Sequence, residues 1–249
     1  MSKLYKSLIF FEVILIIMII LEVFFTVFFN FLRQKRVEED SYVKYYNSIF
    51  KGIEADPEVK ASIKNKKFYL SLSDALREPD NVYLLSLNAK NLKEIPTEIV
   101  KMHNLAVLLI GYNHLSKLSP IIGNLSNLRI LDLKGNQLEQ LPTEMRNLTH
   151  LVNLNLSGNQ INIFPSILFE LKSLKLLSLD RNKINYIPNN ISSLENLIYL
   201  SVNYNDLNTL PEGIGKLKKL KILKLAGNPI PSSDQQFIKS LLPKSQISF

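Results

Sequence analysis

The chain has 249 residues, 46% hydrophobic and 21% charged, with only 8 glycines. This composition supports one or two packed cores and excludes a wholly disordered chain or a collagen. The absence of cysteine further excludes a disulfide scaffold, cysteine nucleophiles, Cys-ligated zinc and a lipidated cysteine anchor. Most of the net charge of +8 falls between residues 82 and 230, and its densest group is Lys216, Lys218, Lys219, Lys221 and Lys224. That group reads first as a solvated face and second as an attraction for an anionic partner or lipid head groups. It carries neither a nucleic-acid-binding motif nor interleaved stacking aromatics, so no nucleic acid is expected as a partner.

Residues 1–36 centre on a run from Leu8 to Leu32 that is apolar except for Glu12, Glu22, Thr26 and Asn30. As a helix it would extend about 37 Å, enough to cross the hydrocarbon core of a bilayer. Lys3 and Lys6 precede it and Arg33, Lys35 and Arg36 follow, with no small-residue cleavage site beyond. An uncleaved, single-pass membrane helix is expected, in contact with lipid through residues 8–32. Glu12 is expected to reach the interface and Glu22 to be protonated, the alternative being a helix partner in the membrane. Residues 37–67 open on Glu38, Glu39 and Asp40 and read as a juxtamembrane stalk. Within it Tyr42, Tyr45, Tyr46, Ile49, Phe50 and Ile53 recur at helical spacing before Pro57, which predicts a short amphipathic helix.

From Val82 the chain repeats every 23 residues without insertion or deletion, with units beginning at Val82, Leu105, Leu128, Leu151, Leu174, Leu197 and Leu220. The third unit, LRILDLKGNQLEQLPTEMRNLTH, fits an L-x-x-L-x-L-x-x-N-x-L pattern. Leu131 and Leu133, two apart, face one side of a short strand, and Leu138, Leu141, Met145 and Leu148 complete an apolar coil interior. One unit cannot bury that set alone, so residues 82–230 are expected to stack into an α/β repeat solenoid. Its concave face would be a curved parallel sheet, and short helical turns would line the convex face. Asn113, Asn136, Asn159, Asn182, Asn205 and Asn228 follow the strands one per unit, and an amide that donates and accepts there can satisfy bent backbone. Lys90 holds this position in the first unit. Pro96, Pro142, Pro165, Pro188 and Pro211 mark the start of the convex turn, with Ser119 and Pro120 in the second unit.

Solenoid ends expose core unless they are capped. Residues 68–81 offer a helix start at Ser71 or Ser73, apolar Leu70, Leu72, Ala75 and Leu76, and a stop at Pro79. Residues 231–249 offer Phe237, Ile238, Leu241 and Leu242 at helical spacing before Pro243. Both are expected to be caps.

The segments LSDALREPDNVYLLSLNAKNLKEIPTEI and FIKSLLPKSQISF, with the repeats between them, resemble the leucine-rich-repeat proteins of leptospiral spirochaetes, whose repeats are 23 residues long and of the LP type. The resemblance covers about residues 68–249 and departs at Ser245, where that family frequently has a cysteine. It implies a bacterial cell-envelope, surface or secreted protein engaged in binding, with host molecules among the candidate ligands.

No metalloprotease, nucleophile-elbow or phosphate-loop spacing is present, and His103, His114 and His150 lie in different units. No catalytic, cofactor-binding or metal-ligating residue is therefore expected, and no enzyme. Function should reside on the concave strands. Leu84, Val107, Ile130, Asn153, Leu176, Tyr199 and Ile222 form one column there. Tyr112, Asp132, Lys134, Asp180, Arg181, Tyr199, Asn203, Tyr204 and Lys224 are the candidate partner-binding residues, since tyrosine and arginine bury area while keeping a polar end. The expected function is membrane-anchored protein binding, with a host or envelope component as partner and the repeats outside the cytoplasm. A structural envelope component assembling through helix and stalk, or a regulator of a cytoplasmic switch protein, are the alternatives.

Overall fold

The computed structural model describes Val59 and residues 66–249. The expected membrane helix, and the stalk apart from Val59, Lys66 and Lys67, lie outside the described residues. Among the described residues no helix is long and apolar enough to cross a membrane.

Each repeat contributes one three-residue strand. The strands are β2 (Leu84–Ser86), β3 (Val107–Leu109), β4 (Ile130–Asp132), β5 (Asn153–Asn155), β6 (Leu176–Ser178), β7 (Tyr199–Ser201) and β8 (Ile222–Lys224). All neighbours pair in parallel with a register of one repeat, so that Leu85, Leu108, Leu131, Leu154, Leu177, Leu200 and Leu223 align across the sheet. Two further strands that follow no repeat pattern extend the sheet at its ends: β1 (Phe68–Tyr69) beside β2, and β9 (Gln246–Ser248) beside β8. The described residues thus form a nine-stranded parallel sheet in strict chain order.

The chain returns from each strand to the next through a single 3-10 turn. These turns span Thr97–Lys101, Pro120–Asn124, Thr143–Asn147, Ser166–Glu170, Asn189–Ser193 and Glu212–Lys216. A proline with no hydrogen to donate precedes five of them and starts the sixth, and the carbonyl of Pro142 accepts from the Met145 amide at 3.2 Å. The 3-10 form, with three residues per turn, fits a 23-residue repeat that has only five residues for this segment. Neighbouring turns approach closely: the Gly213 amide donates to Asn189 Oδ1 at 2.7 Å, and a Cβ at Gly213 would strike the Asn189 carbonyl oxygen.

The core is one continuous column. Leu128, Leu131, Leu133, Leu138, Met145 and Leu148 of the third repeat are fully buried, and Leu141 packs against them partly exposed. At the front, α1 (Leu72–Ala75) begins at Ser71, whose Oγ accepts from the Asp74 amide at 3.1 Å, and it places Ala75 over the first repeat. Lys67 Nζ meets Glu78 Oε1 at 2.8 Å, and this lysine holds the Glu78 carboxyl below its ordinary pKa. At the back, α2 (Ser232–Leu241) buries Ile238 against the last repeat.

The asparagines join one repeat to the next. Asn159 Oδ1 accepts from the Leu138 amide at 3.0 Å, while its Nδ2 donates to the Leu133 carbonyl at 3.1 Å and the Leu156 carbonyl at 2.9 Å. Asn136, Asn182, Asn205 and Asn228 repeat that pattern one repeat apart. Asn113, facing the first repeat, takes the Lys90 and Leu92 amides together at 2.9 and 3.1 Å. Replacing Asn159 by Leu strands three buried backbone groups and is expected to cost about 1–3 kcal/mol. Exposed Gln160→Ala is expected to change little. Urea unfolding of the two variants gives the comparison, and equal midpoints would remove the asparagine from this role.

Candidate interaction surface

The sheet's far side, opposite the core, carries the side chains that the sequence assigns to binding. The register aligns Leu84, Val107, Ile130, Asn153, Leu176, Tyr199 and Ile222 in one row, as expected. The first five are buried although none belongs to the core cluster, with Val107 at 0% exposure. The accessible residues lie instead along the rim where the strands end.

That rim has an unusual backbone. Ala89, Tyr112, Gly135, Gly158, Arg181, Tyr204 and Gly227 occupy the same position in the seven repeats, and all have positive φ, between 52° and 74°. Glycine adopts this conformation without penalty, whereas a tyrosine or arginine there costs about 1–3 kcal/mol. Tyr112 and Tyr204 nevertheless hold it, exposed by 59% and 55%. Each ring lies against the glycine of the following repeat. A Cβ on Gly135 would meet Tyr112 Cδ1 at 2.7 Å, and one on Gly227 would run into the Tyr204 ring. Cations stand over these rings: Lys134 Nζ lies 5.0 Å from the Tyr112 centroid and Arg181 Cζ 4.9 Å from that of Tyr204. Lys224 Nζ is 5.8 Å from the half-buried Tyr199 ring, within the range of cation–π attraction.

The polar candidates behave differently from the aromatic ones. Asp180 Oδ1 accepts from the Asn203 amide at 2.7 Å and from Ser201 Oγ at 2.6 Å, so its carboxylate ties one repeat to the next. Asn203 Oδ1 accepts in turn from the Ala226 amide at 2.8 Å. Asn88 does the same for the Gly111 amide at 2.6 Å. Where the preceding repeat has no such side chain, the strand supplies its own: Asp132 Oδ1 takes the Lys134 amide at 3.1 Å and Asn155 Oδ1 the Ser157 amide at 3.1 Å. Asp132 is 2% exposed and pairs with Lys134 Nζ at 3.8 Å. Reading the sequence for function missed this second set of bridges. Its signal was legible: a short acceptor recurs two residues beyond the strand, as Asn88, Asp180 and Asn203, or as the strand's last residue, as Asp132 and Asn155. Of the nine binding candidates, Tyr112, Arg181, Tyr204 and Lys224 are exposed, Lys134, Asp180, Tyr199 and Asn203 half-buried, and Asp132 buried.

Comparison with known proteins agrees with this geometry, since a family model described as a leucine-rich repeat region matches residues 120–242. The matched repeats are leucine-rich repeats. It is similar in structure to the leucine-rich-repeat protein LIC12759 of Leptospira interrogans, with a TM-score of 0.62 and 40% identity over 64% of this chain. The match covers 41% of that protein, so the chain spans about two fifths of its relative's length. An internalin from Listeria monocytogenes shares the fold, with a TM-score of 0.54 and 24% identity over 72% of this chain and 60% of its own. No curated protein matches. Leucine-rich-repeat proteins are usually non-enzymatic binding proteins. Among the described residues no cluster of histidine and carboxylate side chains could hold a metal ion.

The division of labour along the rim is testable. Asp180→Ala leaves the Asn203 amide and the Ser201 hydroxyl without their acceptor and is expected to cost about 1–2 kcal/mol. Arg181→Ala, one residue on, removes only an exposed contact and is expected to cost under about 0.5 kcal/mol. Thermal unfolding that ranks the two the other way would identify Arg181 as the structural residue.

Proposed function

We propose that this leucine-rich-repeat domain is a protein-binding module whose contact site is the rim built by Tyr112, Arg181 and Tyr204, with Tyr199, Lys134 and Lys224 beside them. The observation that carries the reading is the pair of exposed tyrosines on a left-handed backbone position that glycine fills in three other repeats. A side chain that is costly to its own fold and open to solvent is accounted for by what it does to a partner. Tyrosine with an overlying cation offers a partner a large apolar body, a hydroxyl and a positive charge, the composition of interface hot spots. The likeness to a Leptospira leucine-rich-repeat protein supports a bacterial binding protein, with a host or envelope component as partner. The apolar run Leu8–Leu32 supports anchoring by a single membrane span; the repeats are proposed to lie on the periplasmic or extracellular side.

Replacing both Tyr112 and Tyr204 by Gly tests the proposal in two directions. Stability is expected to hold or rise by up to about 1 kcal/mol, because the left-handed backbone is relieved as two cation–π contacts are lost. Affinity for a partner recovered by cross-linking is expected to fall by about 2 kcal/mol or more. Lys101→Ala with Arg146→Ala, both on the 3-10 turns, serves as the control and is expected to bind normally. Loss of binding in the control alone would move the contact to the turn side.

A further inference from the structure

Apart from Lys224 of the binding rim, the densest positive charge of the chain lies at one corner. Residues 216–249 hold seven lysines and one acid, Asp234. Lys218 and Lys219 close the sixth repeat, and Lys221 is the second residue of the seventh, just before β8. The chain then comes back to the same edge. Ser245 Oγ donates to the Leu220 carbonyl at 2.6 Å and the Gln246 amide to the Lys221 carbonyl at 2.8 Å. These bonds and the parallel register put Lys244 level with Leu220, the residue between Lys219 and Lys221. Two repeats earlier, Lys172 and Lys175 stand at the repeat positions of Lys218 and Lys221. Six lysines thus collect where the strands start, across β6 to β9, a span of about 14 Å at ~4.8 Å per strand. Glu195 is the acid among them. Along the front half of this edge the positions of Lys218 and Lys219 hold His103, Asn104, Ser126, Asn127, Thr149 and His150, and that of Lys221 holds Tyr83, Ala106 and Arg129.

The corner's side chains face solvent: Lys172, Lys218, Lys219, Lys221 and Lys244 are all exposed. Two are steadied by neutral acceptors that leave their charge uncompensated. Lys219 Nζ donates to Asn196 Oδ1 at 2.6 Å and Lys218 Nζ to the Gly215 carbonyl at 2.8 Å. All six cations are lysines, which act as compact, hydrated point charges, and none is an arginine offering a fork to a shaped carboxylate or phosphate. Such a patch suits a diffuse negative field more than one defined ligand.

We propose that this lysine corner docks the repeat domain on an anionic lipid surface. The same chain carries a bilayer-length apolar run at Leu8–Leu32, and the proposal rests on the reading of that run as a membrane anchor, which holds the domain close to head groups. Lysines near a charged bilayer add their attractions, and the effect fades within a Debye length of about 10 Å at 0.1 M salt. Docking at this corner orients the domain and leaves the Tyr112–Tyr204 rim, at the opposite ends of the strands, open to a partner.

The chain has no cysteine, so Gln246→Cys gives a single site for a dye beside Lys244. The labelled protein is reconstituted into vesicles that carry a head-group quencher, either neutral phosphatidylcholine or the same lipid with about 30% phosphatidylglycerol. Flotation with neutral vesicles reads the anchor, and quenching reads the corner. Quenching is expected to be at least about threefold stronger on the anionic vesicles and to fall to the neutral value in about 0.5 M salt. Lys218→Gln, Lys219→Gln, Lys221→Gln and Lys244→Gln together are expected to abolish the difference. The charge-matched set Lys90→Gln, Lys93→Gln, Lys101→Gln and Lys117→Gln should keep it. Equal quenching on both lipids by a chain that floats overturns the proposal while leaving the anchor intact. A quenching difference that survives in the corner variant also overturns it. A chain that fails to float on neutral vesicles yet is quenched on anionic ones refutes the anchor and supports the corner.

Discussion

Everything in this domain depends on a buried amide that bonds to two repeats at once. A three-residue strand followed by a bend leaves carbonyls and amides inside the coil with no partner in the sheet, and burying them unpaired would cost more than the leucines return. Asparagine alone among small side chains offers an acceptor and two donors on one planar group. Its acceptor reaches back to the preceding repeat, and its donors reach the carbonyls of both repeats. The leucine columns can close into one core because this polar spine runs beside them.

The same logic acts a second time at the strand ends, with less regularity. Asn88, Asp132, Asn155, Asp180 and Asn203 each accept an amide that the ladder leaves over, some from their own repeat and some from the next. This variation is why the rim differs from one repeat to another while the interior does not. Residues beyond those bonds are free to vary for other reasons, and there tyrosine and arginine occupy a backbone position suited to glycine. The rigid interior lets individual repeats bear that strain locally, because their neighbours hold the coil in place.

The repeating interior was legible in the sequence because each recurring residue type does one physical job. Leucine fills, asparagine bridges and proline starts the turn. The caps were legible as apolar helices, yet β1 and β9 were not. Phe68–Tyr69 and Gln246–Ser248 are too short to show a periodicity, and they join the sheet only because an edge strand has unpaired backbone to offer. Asp132 and Asp180 drew a binding interpretation because a carboxylate on a displayed face commonly meets a partner. Their acceptor role within the fold follows from where the chain bends, which residue type alone does not reveal. Tyr112 and Tyr204 stood out as aromatic, but the strain that singles them out became visible only with backbone angles in hand.

Amide hydrogen exchange at Leu115, Leu138, Ile161, Ile184 and Leu207 tests the central claim most directly, since each of these amides donates to the asparagine side chain of the next repeat. None of the five lies in a strand or helix, so ordinary loop amides would exchange quickly by local opening. If the asparagine spine holds the repeats together, these five exchange only with the cooperative opening of the coil, as slowly as the strand amide of Leu131. Exchange at the rate of the exposed loop amides, while Leu131 stays protected, would show that the leucine core holds the repeats without the spine and would contradict the account.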